Sequence, residues 1–434
     1  MNPSTSPASL SLTRRGFLKQ TSLAVAGAAA AAQFPFVTTS HAAPDDPIGV
    51  ALIGCGGRGT GAAGDFLEAA KTLDAANPNA KIVAVADIFP GPAEAARRRF
   101  SEVSADTCFV GFDAYQKALA VPGINYVILA TPPGFRPIHL RAAIEAGKNV
   151  FMEKPVATDG VGIRSVLESG ELAKQKGLQI AAGTQRRHQA GYQETIQRLQ
   201  DGAIGEILGL RAYWNQGAIW HRGDDPNKSE MENQVHNWYH YVWLSGDHIC
   251  EQHVHNLDVC NWIMNAHPKS AYGQGGRQAL GSKTGHIWDH FAVEYEYPDG
   301  ARLFSQCRQI QDTQGRVSEA VQGTKGTSDP SGTYRVKGGD SWSTSLKLDH
   351  SNPYVQEHID LIRAVRGGKP INEARNVAES TLTAILGRES AYSGQILTWD
   401  EVLNAKTSLI PEKLEWGPAP KWEVAIPGIY KPLI

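Results

Sequence analysis

Cysteine is scarce in this sequence, and none of it is paired. Cys55, Cys108, Cys250, Cys260 and Cys307 are spread over 434 residues with no Cys-x-x-Cys spacing. An odd, sparse set excludes a disulfide framework and a zinc site of that type. Positive charge is also lacking. The net charge is -2, and it is more negative still without Arg14, Arg15 and Lys19 near the start. A nucleic-acid binder would carry a basic excess, so nucleic acid is not an expected partner. The longest soft apolar stretch, residues 23–32, is interrupted by Gln33 and Pro35. It is too short for a permanent membrane anchor. His-Glu-x-x-His is absent. The pairs His236/His240 and His253/His255 are the nearest approach to metal-ligand spacing, and the expected chemistry uses no metal. There is no internal repeat or coiled coil. What remains is a composition of 41% hydrophobic and 20% charged residues, enough for a sizeable core. The length predicts two domains plus extensions.

Thr13-Arg14-Arg15-Gly16-Phe17-Leu18-Lys19 precedes the soft apolar stretch, and Ser40-His41-Ala42 offers small residues for cleavage. This pattern predicts an export signal over 1–42 of the twin-arginine type, cleaved near Ala42. The mature protein is then periplasmic or otherwise exported, with the twin-arginine machinery as a partner. That machinery carries folded proteins, often with a cofactor already bound.

The following segment alternates two periods. Apolar runs at 48–53, 81–87, 109–112, 125–130, 149–152 and 178–182 read as buried strands. Helices are expected between them at 60–75, 93–103, 114–120, 137–146 and 160–176. Alternation of this kind predicts a doubly wound parallel sheet over 46–182. After Gly183 the pattern changes. Stretches at 207–215, 291–297, 302–310 and 333–337 are β-rich, with helices expected at 193–200, 254–264, 353–366 and 374–393. They predict an α+β domain over 183–408 with a large, mostly antiparallel open sheet. Residues 409–434 hold five prolines and read as an extended arm.

Gly54-Cys55-Gly56-Gly57-Arg58-Gly59 matches G-x-G-x-x-G directly after a strand and before a helix. Such glycines permit a tight turn and let backbone N–H groups approach a pyrophosphate, with the helix N-terminus adding positive charge. Cys55 reads as a small filler in this loop. Asp87 ends the second strand, where a carboxylate binds the adenosine ribose. Its charge repels a 2′-phosphate, so NAD is expected over NADP. Asp87 can serve as a helix N-cap at the same time.

Further motifs lie beyond the loop: Ala146-Gly147-Lys148-Asn149-Val150 leading into Glu153-Lys154-Pro155, then Gly183-Thr184-Gln185-Arg186-Arg187, then Asp201-Gly202-Ala203-Ile204-Gly205-Glu206-Ile207. With the glycine loop they make the chain resemble the Gfo/Idh/MocA oxidoreductases, the family containing glucose-fructose oxidoreductase and inositol dehydrogenase. The resemblance implies a Rossmann domain followed by an α/β domain whose open sheet mediates oligomers, a dimer or tetramer. It implies a catalytic lysine at Lys154. It also implies an acid and a histidine four residues apart on a helix facing the nicotinamide, here Glu251 and His255. The family more often has Asp at position 251 and usually glycine where this chain has His253, so a different substrate pocket is implied. Cofactor contacts are implied at Gly54, Gly56, Gly57, Arg58, Gly59, Asp87, Thr131, Pro132, Glu153 and Lys154. His139 matches a family position and is expected to be structural. Gln185 and Arg187 align with a polar pair near the active site; Arg187 either holds substrate or pairs with an acid.

The residues themselves support this chemistry. Alcohol oxidation needs a base for the hydroxyl proton, and histidine serves near neutral pH. Lysine serves when burial and a positive neighbour lower its pKa. His255 is therefore expected as general base, and Lys154 as the group that binds the reacting oxygen and relays its proton. Residues i and i+4 share a helix face, so Glu251 and His255 are expected to act together. Asp258 either orients His255 or makes an ordinary helix salt bridge. Between Trp214 and His290 lie six of the ten tryptophans and nine of the fourteen histidines. Tryptophan faces suit sugar rings, so a carbohydrate substrate is expected, with Gln185, Arg187, Trp220, His253 and Asp258 as its candidate contacts. The first functional expectation is an exported oxidoreductase acting on a secondary alcohol of a sugar or glycoside through tightly bound NAD. An NAD-dependent glycosidase, working by transient oxidation, elimination and re-reduction, uses the same residues. A non-enzymatic sugar or nucleotide binding protein is the third alternative.

Overall fold

The computed structural model describes residues 46–281, 285–339 and 341–434. The expected signal over 1–42 lies outside the described residues. Six parallel strands form the first sheet: β1 (Ile48–Ile53), β2 (Ala80–Asp87), β3 (Cys108–Val110), β4 (Ile124–Leu129), β5 (Asn149–Met152) and β6 (Ile180–Ala182). Their order is β3-β2-β1-β4-β5-β6. Strand order reverses between β1 and β4, which opens a crevice at their C-terminal ends. β1 is buried along its whole length, as expected for a strand covered on both faces. The helix after it, Gly57–Leu73, buries Ala62, Ala63, Phe66, Ala69 and Ala70, small groups that let it lie close to the sheet.

The second sheet contains β7 (Ile207–Gln216), β8 (Ser270–Gly276), β9 (His290–Glu296), β10 (Arg302–Gln309), β11 (Arg316–Gly323), β12 (Gly326–Asp329), β13 (Thr333–Val336), β14 (Ser341–Ser343) and β15 (Ile396–Thr398). Its order is β14-β13-β12-β11-β7-β10-β9-β8-β15. Only β7 and β10 run parallel, so the sheet is mostly antiparallel, as expected. The helix Ala374–Ser393 is buried on nearly every side and packs on β8 and on the helix Gly160–Gln175. At Gly273 an added Cβ would lie 2.9 Å from the Ala391 nitrogen, so only glycine allows this helix to seat.

Three features differ from the sequence reading. Strands β8, β11, β12, β14 and β15 were not expected, because glycine-rich Ser270–Gly276 and polar Arg316–Gly323 lack an apolar alternation. The helix Pro353–Val365 lies between β14 and β15 of the second sheet in sequence yet packs on the first. Val355, Ile359 and Ile362 share a core with Ile48, Val50 and Phe66. The core of the first sheet thus includes a helix from outside 46–182. Finally, Glu251 and His255 do not share one continuous helix. Glu251 ends a short helix, His248–Glu251, and His255 lies in the next, Val254–Met264. The ladder shifts at the junction, where His255 N–H bonds Gln252 O instead of Glu251 O.

Candidate active site

The glycine loop fits a dinucleotide on its own geometry. Gly54 has φ +97°, and a Cβ there would meet Ala130 carbon at 2.6 Å. A Cβ on Gly59 would lie 1.9 Å from Gly54 O, so both glycines are required by packing. Gly56 and Gly57 instead face open space. Gly56 is the N-cap of the following helix, with no side-chain cap and no acid in the first turn. Those N–H groups are free of side-chain partners and suit an anion. At the end of β2, Asp87 Oδ2 accepts from Cys55 N at 2.7 Å and Oδ1 from Phe89 N at 2.9 Å. Each oxygen keeps a second lone pair for a ribose hydroxyl. Burial raises the Asp87 pKa, opposed by the bonds from Phe89 and Cys55.

Across the crevice, Arg136 is fully buried and binds the carbonyls of Leu129 and Thr131, the latter at 2.6 Å. Thr131 Oγ1 meets His139 Nδ1 at 3.1 Å. Burial, then the Arg136 charge, push the His139 pKa down to about 3, so this ring is neutral and structural. Pro132 N-caps the turn Pro133–Phe135. Arg58 reaches away from the loop. It pairs with Glu153, with Asp65 at 3.2 Å and with the fully buried Glu357 at 3.3 Å.

Lys154 follows Glu153 beyond the end of β5 and is nearly buried. Its Nζ donates to the Glu251 carbonyl at 2.5 Å and to Glu251 Oε1 at 3.2 Å. Gln252 Nε2 holds the other carboxylate oxygen. Burial raises the Glu251 pKa, with the Lys154 charge opposing. The His255 ring stacks on Trp214 at 5.5 Å, and neither ring nitrogen is hydrogen-bonded to a described residue. Its pKa lies well below the ordinary value, first through burial and then through the charges of Lys154, Arg186 and Arg58. The structure thus brings Glu153, Lys154, Glu251 and His255 together beside the glycine loop.

The remaining candidates are placed differently. Arg187 and Asp258 bind each other bidentately, with Nη2 to Oδ1 at 2.8 Å and Nε to Oδ2 at 2.9 Å. Ser380 adds a third bond to Asp258 at 2.7 Å. Asp258 therefore pairs with Arg187 and does not orient His255. His253 is fully buried, with Nε2 2.7 Å from Ser305 Oγ and Nδ1 without a partner. Burial pushes its pKa down to about 3. Gln185 opens the turn Gln185–His188, and its buried Oε1 has no partner. Trp220 packs on Trp238 and Tyr239. His236 ends one helix against Phe89 and His240 binds the Trp220 carbonyl, so this pair does not form a ligand set. Among the described residues no cluster could hold a metal, and no helix is long and apolar enough to cross a membrane.

Sequence reasoning missed Tyr239, whose hydroxyl lies 3.1 Å from His248 Nδ1 beside Glu251. It also missed Arg186, which pairs with buried Glu319 and lies 5.9 Å over Trp214. Tyr239 stands in no spaced motif, and Arg186 lies in the Gly183-Thr184-Gln185-Arg186-Arg187 run, where only Gln185 and Arg187 were singled out.

Comparisons with known proteins agree with this geometry. Residues 48–184 match the Gfo/Idh/MocA oxidoreductase family's NAD-binding Rossmann fold, and residues 192–329 match that family's C-terminal domain. The inositol 2-dehydrogenase of Gluconacetobacter diazotrophicus is 30% identical over 50% of this chain and 56% of its own length. Inositol 2-dehydrogenase 3 of Saccharopolyspora erythraea is 28% identical over 73% of this chain and 87% of its own. The chain thus spans little more than half the length of the first relative. The aldose-aldose oxidoreductase of Caulobacter crescentus, solved with glycerol, superposes over 81% of this chain and 99% of its own with a TM-score of 0.63 at 18% identity. Two matched domains that together cover well over half of the sequence place this chain in the Gfo/Idh/MocA family of NAD-binding oxidoreductases.

Proposed function

We propose that the protein oxidises a secondary alcohol of a sugar or cyclitol and retains its NAD between turnovers. One observation carries this reading. An ammonium has three donors, and two of those on Lys154 are taken by Glu251. The third is left for a substrate oxygen, beside a His255 ring whose nitrogens have no hydrogen-bond partner among the described residues. Bound NAD supplies the hydride acceptor. Gly56, Gly57 and the first turn of Gly57–Leu73 would hold its pyrophosphate, and Asp87 its adenosine ribose. Lys154 binds the reacting hydroxyl and favours its deprotonation. His255, neutral through burial and its cationic neighbours, accepts the proton. Trp214 fixes the plane of that ring. Glu251 positions Lys154 by two bonds. The inositol 2-dehydrogenases and the aldose-aldose oxidoreductase supply the substrate class. The test is absorbance of the purified protein near the NADH band while sugars and cyclitols are added. A lasting NADH signal supports the reading. Glycoside cleavage without net NADH would replace it with transient oxidation.

We further infer export by the twin-arginine route, on the strength of Arg14-Arg15 and the soft apolar stretch after it. Replacing both arginines by lysine should leave the protein in the cytoplasm; unchanged export would refute the inference. The second sheet supports a homo-oligomer. On its outer face Ile396, Tyr272 and Phe304 are 67%, 61% and 52% exposed. The pairings Ile396 with Tyr272, Tyr272 with Glu294 and Glu294 with Phe304 set them in one transverse row.

A further inference from the structure

The adenosine end of the proposed dinucleotide site lies at the C-terminal edges of β2 and β3, where Asp87 pairs with Val110. Two aromatic rings leave this edge: Phe89, two residues after Asp87, and Phe112, two residues after Val110. The C-terminal arm lays a third ring on them. Trp416 stacks on Phe89 at 5.6 Å and 25°, and meets Phe112 at 4.7 Å. The arm is fastened just beyond this point. Gly417 O accepts from Met231 N at 3.0 Å, and Pro420 O accepts from Gln234 Nε2 at 3.2 Å. His236 meets Phe89 edge-on at 5.9 Å. Trp416 is thus held by packing and by the bonded arm, yet 41% of it stays exposed. A fixed indole with an open surface is a stacking platform, and the flat group expected at this edge of a parallel sheet is a purine.

We propose that Trp416, seated on Phe89 and Phe112, stacks against the adenine of the dinucleotide and slows its departure. The inference rests on NAD binding at the glycine loop and adds a part of the site contributed by the C-terminal arm. It separates two roles for the arm. A mere fastener would matter to thermal stability alone. A platform acts on ligands that carry adenine and spares those that do not.

The test uses the full-length protein loaded with NADH and followed by NADH fluorescence after dilution into excess ADP-ribose. Loss of one base–aromatic stack corresponds to roughly a 5- to 150-fold change. Trp416→Ala should therefore release NADH about 10-fold faster or more. Trp416→Phe, which keeps the packing on Phe89 and Phe112, should fall between the two. In calorimetric titrations Trp416→Ala should weaken AMP and leave nicotinamide mononucleotide unchanged. Release at the wild-type rate, or equal weakening of both mononucleotides, would overturn the proposal. If the wild-type protein binds neither NADH nor AMP, the dinucleotide reading falls with it.

Discussion

Lys154 and Glu251 are joined twice, through the main-chain carbonyl at 2.5 Å and through carboxylate Oε1 at 3.2 Å. The double contact fixes Nζ in position and leaves a single donor for substrate. Replacing Lys154 by Ala removes both oxygen binding and proton relay, and kcat should fall by roughly 10²- to 10⁴-fold. Glu251→Gln keeps the carbonyl contact and loses the carboxylate charge, so its kcat should fall less. Steady-state kinetics of both variants checks the order. Equal losses would mean that the carboxylate does more than position the lysine.

Protonation of His255 is resisted by burial and by the cations Lys154, Arg186 and Arg58. Its folded pKa is depressed, so the ring stays neutral as pH falls through about 6.5, where a free imidazole titrates. kcat/KM should therefore remain flat through that pH and decline only well below it. The ring resonance of His255 in Lys154→Met should titrate at a higher pH than in the wild type. A wild-type acid limb centred near the free-imidazole value would contradict the arrangement.

Arg187 tests the alternatives left open by its sequence position. Its bidentate bond to Asp258 is nearly buried, with side-chain exposures of 13% and 2%. Breaking one partner of a buried pair typically costs about 3–5 kcal/mol. Arg187→Leu should then lower the melting temperature markedly, with Asp258 left to Ser380 alone. A raised KM with an unchanged melting temperature would instead make Arg187 a substrate residue.

The glycine loop was legible because its chemistry is local. A tight turn, a close backbone approach and a helix start fall within six consecutive residues. The same holds for buried strands such as Ile48–Ile53, whose unbroken apolar run needs no partner to be recognised. The long-range parts were not legible. Nothing in Arg187 or Asp258 names the other, 71 residues away. The break after Glu251 was hidden because Gln252 and His253 are compatible with helix. It is the fixing of His253 by Ser305 on β10 that accompanies the shift to a new helix. Trp416 lies in a proline-rich arm without periodicity, so only packing reveals its neighbours.

His188 ties stability to pH. Burial opposes its charge, but Glu373 and the 2.6 Å contact with Asp360 overcome this and raise its pKa to about 10. A raised histidine pKa contributes stability that is complete below the unfolded value, about 6.5. That contribution fades as pH rises through the folded value. The melting temperature should decline between these limits, and His188→Gln should flatten the decline. A pH-independent difference between the two proteins would exclude the linkage.

The exposed row on the second sheet makes a prediction about assembly. Nine strands spaced about 4.8 Å apart form a face about 40 Å wide. A face of that width can supply the roughly 800 Å² per partner of a standard interface. Ile396, Tyr272 and Phe304 give its β10–β15 side an apolar row, and Glu294 lies between two of them in register. A charge introduced at Phe304 would be desolvated in the interface without a partner, which is costly. Phe304→Glu should therefore reduce the mass measured by light scattering to that of the monomer. Tyr272→Glu, on the other side of Glu294, should do the same. Both positions point away from the helix Ala374–Ser393, so the fold of each subunit should persist. A wild-type protein that is monomeric at micromolar concentration would refute the interface outright. Retention of the oligomer in both variants would move it to another surface.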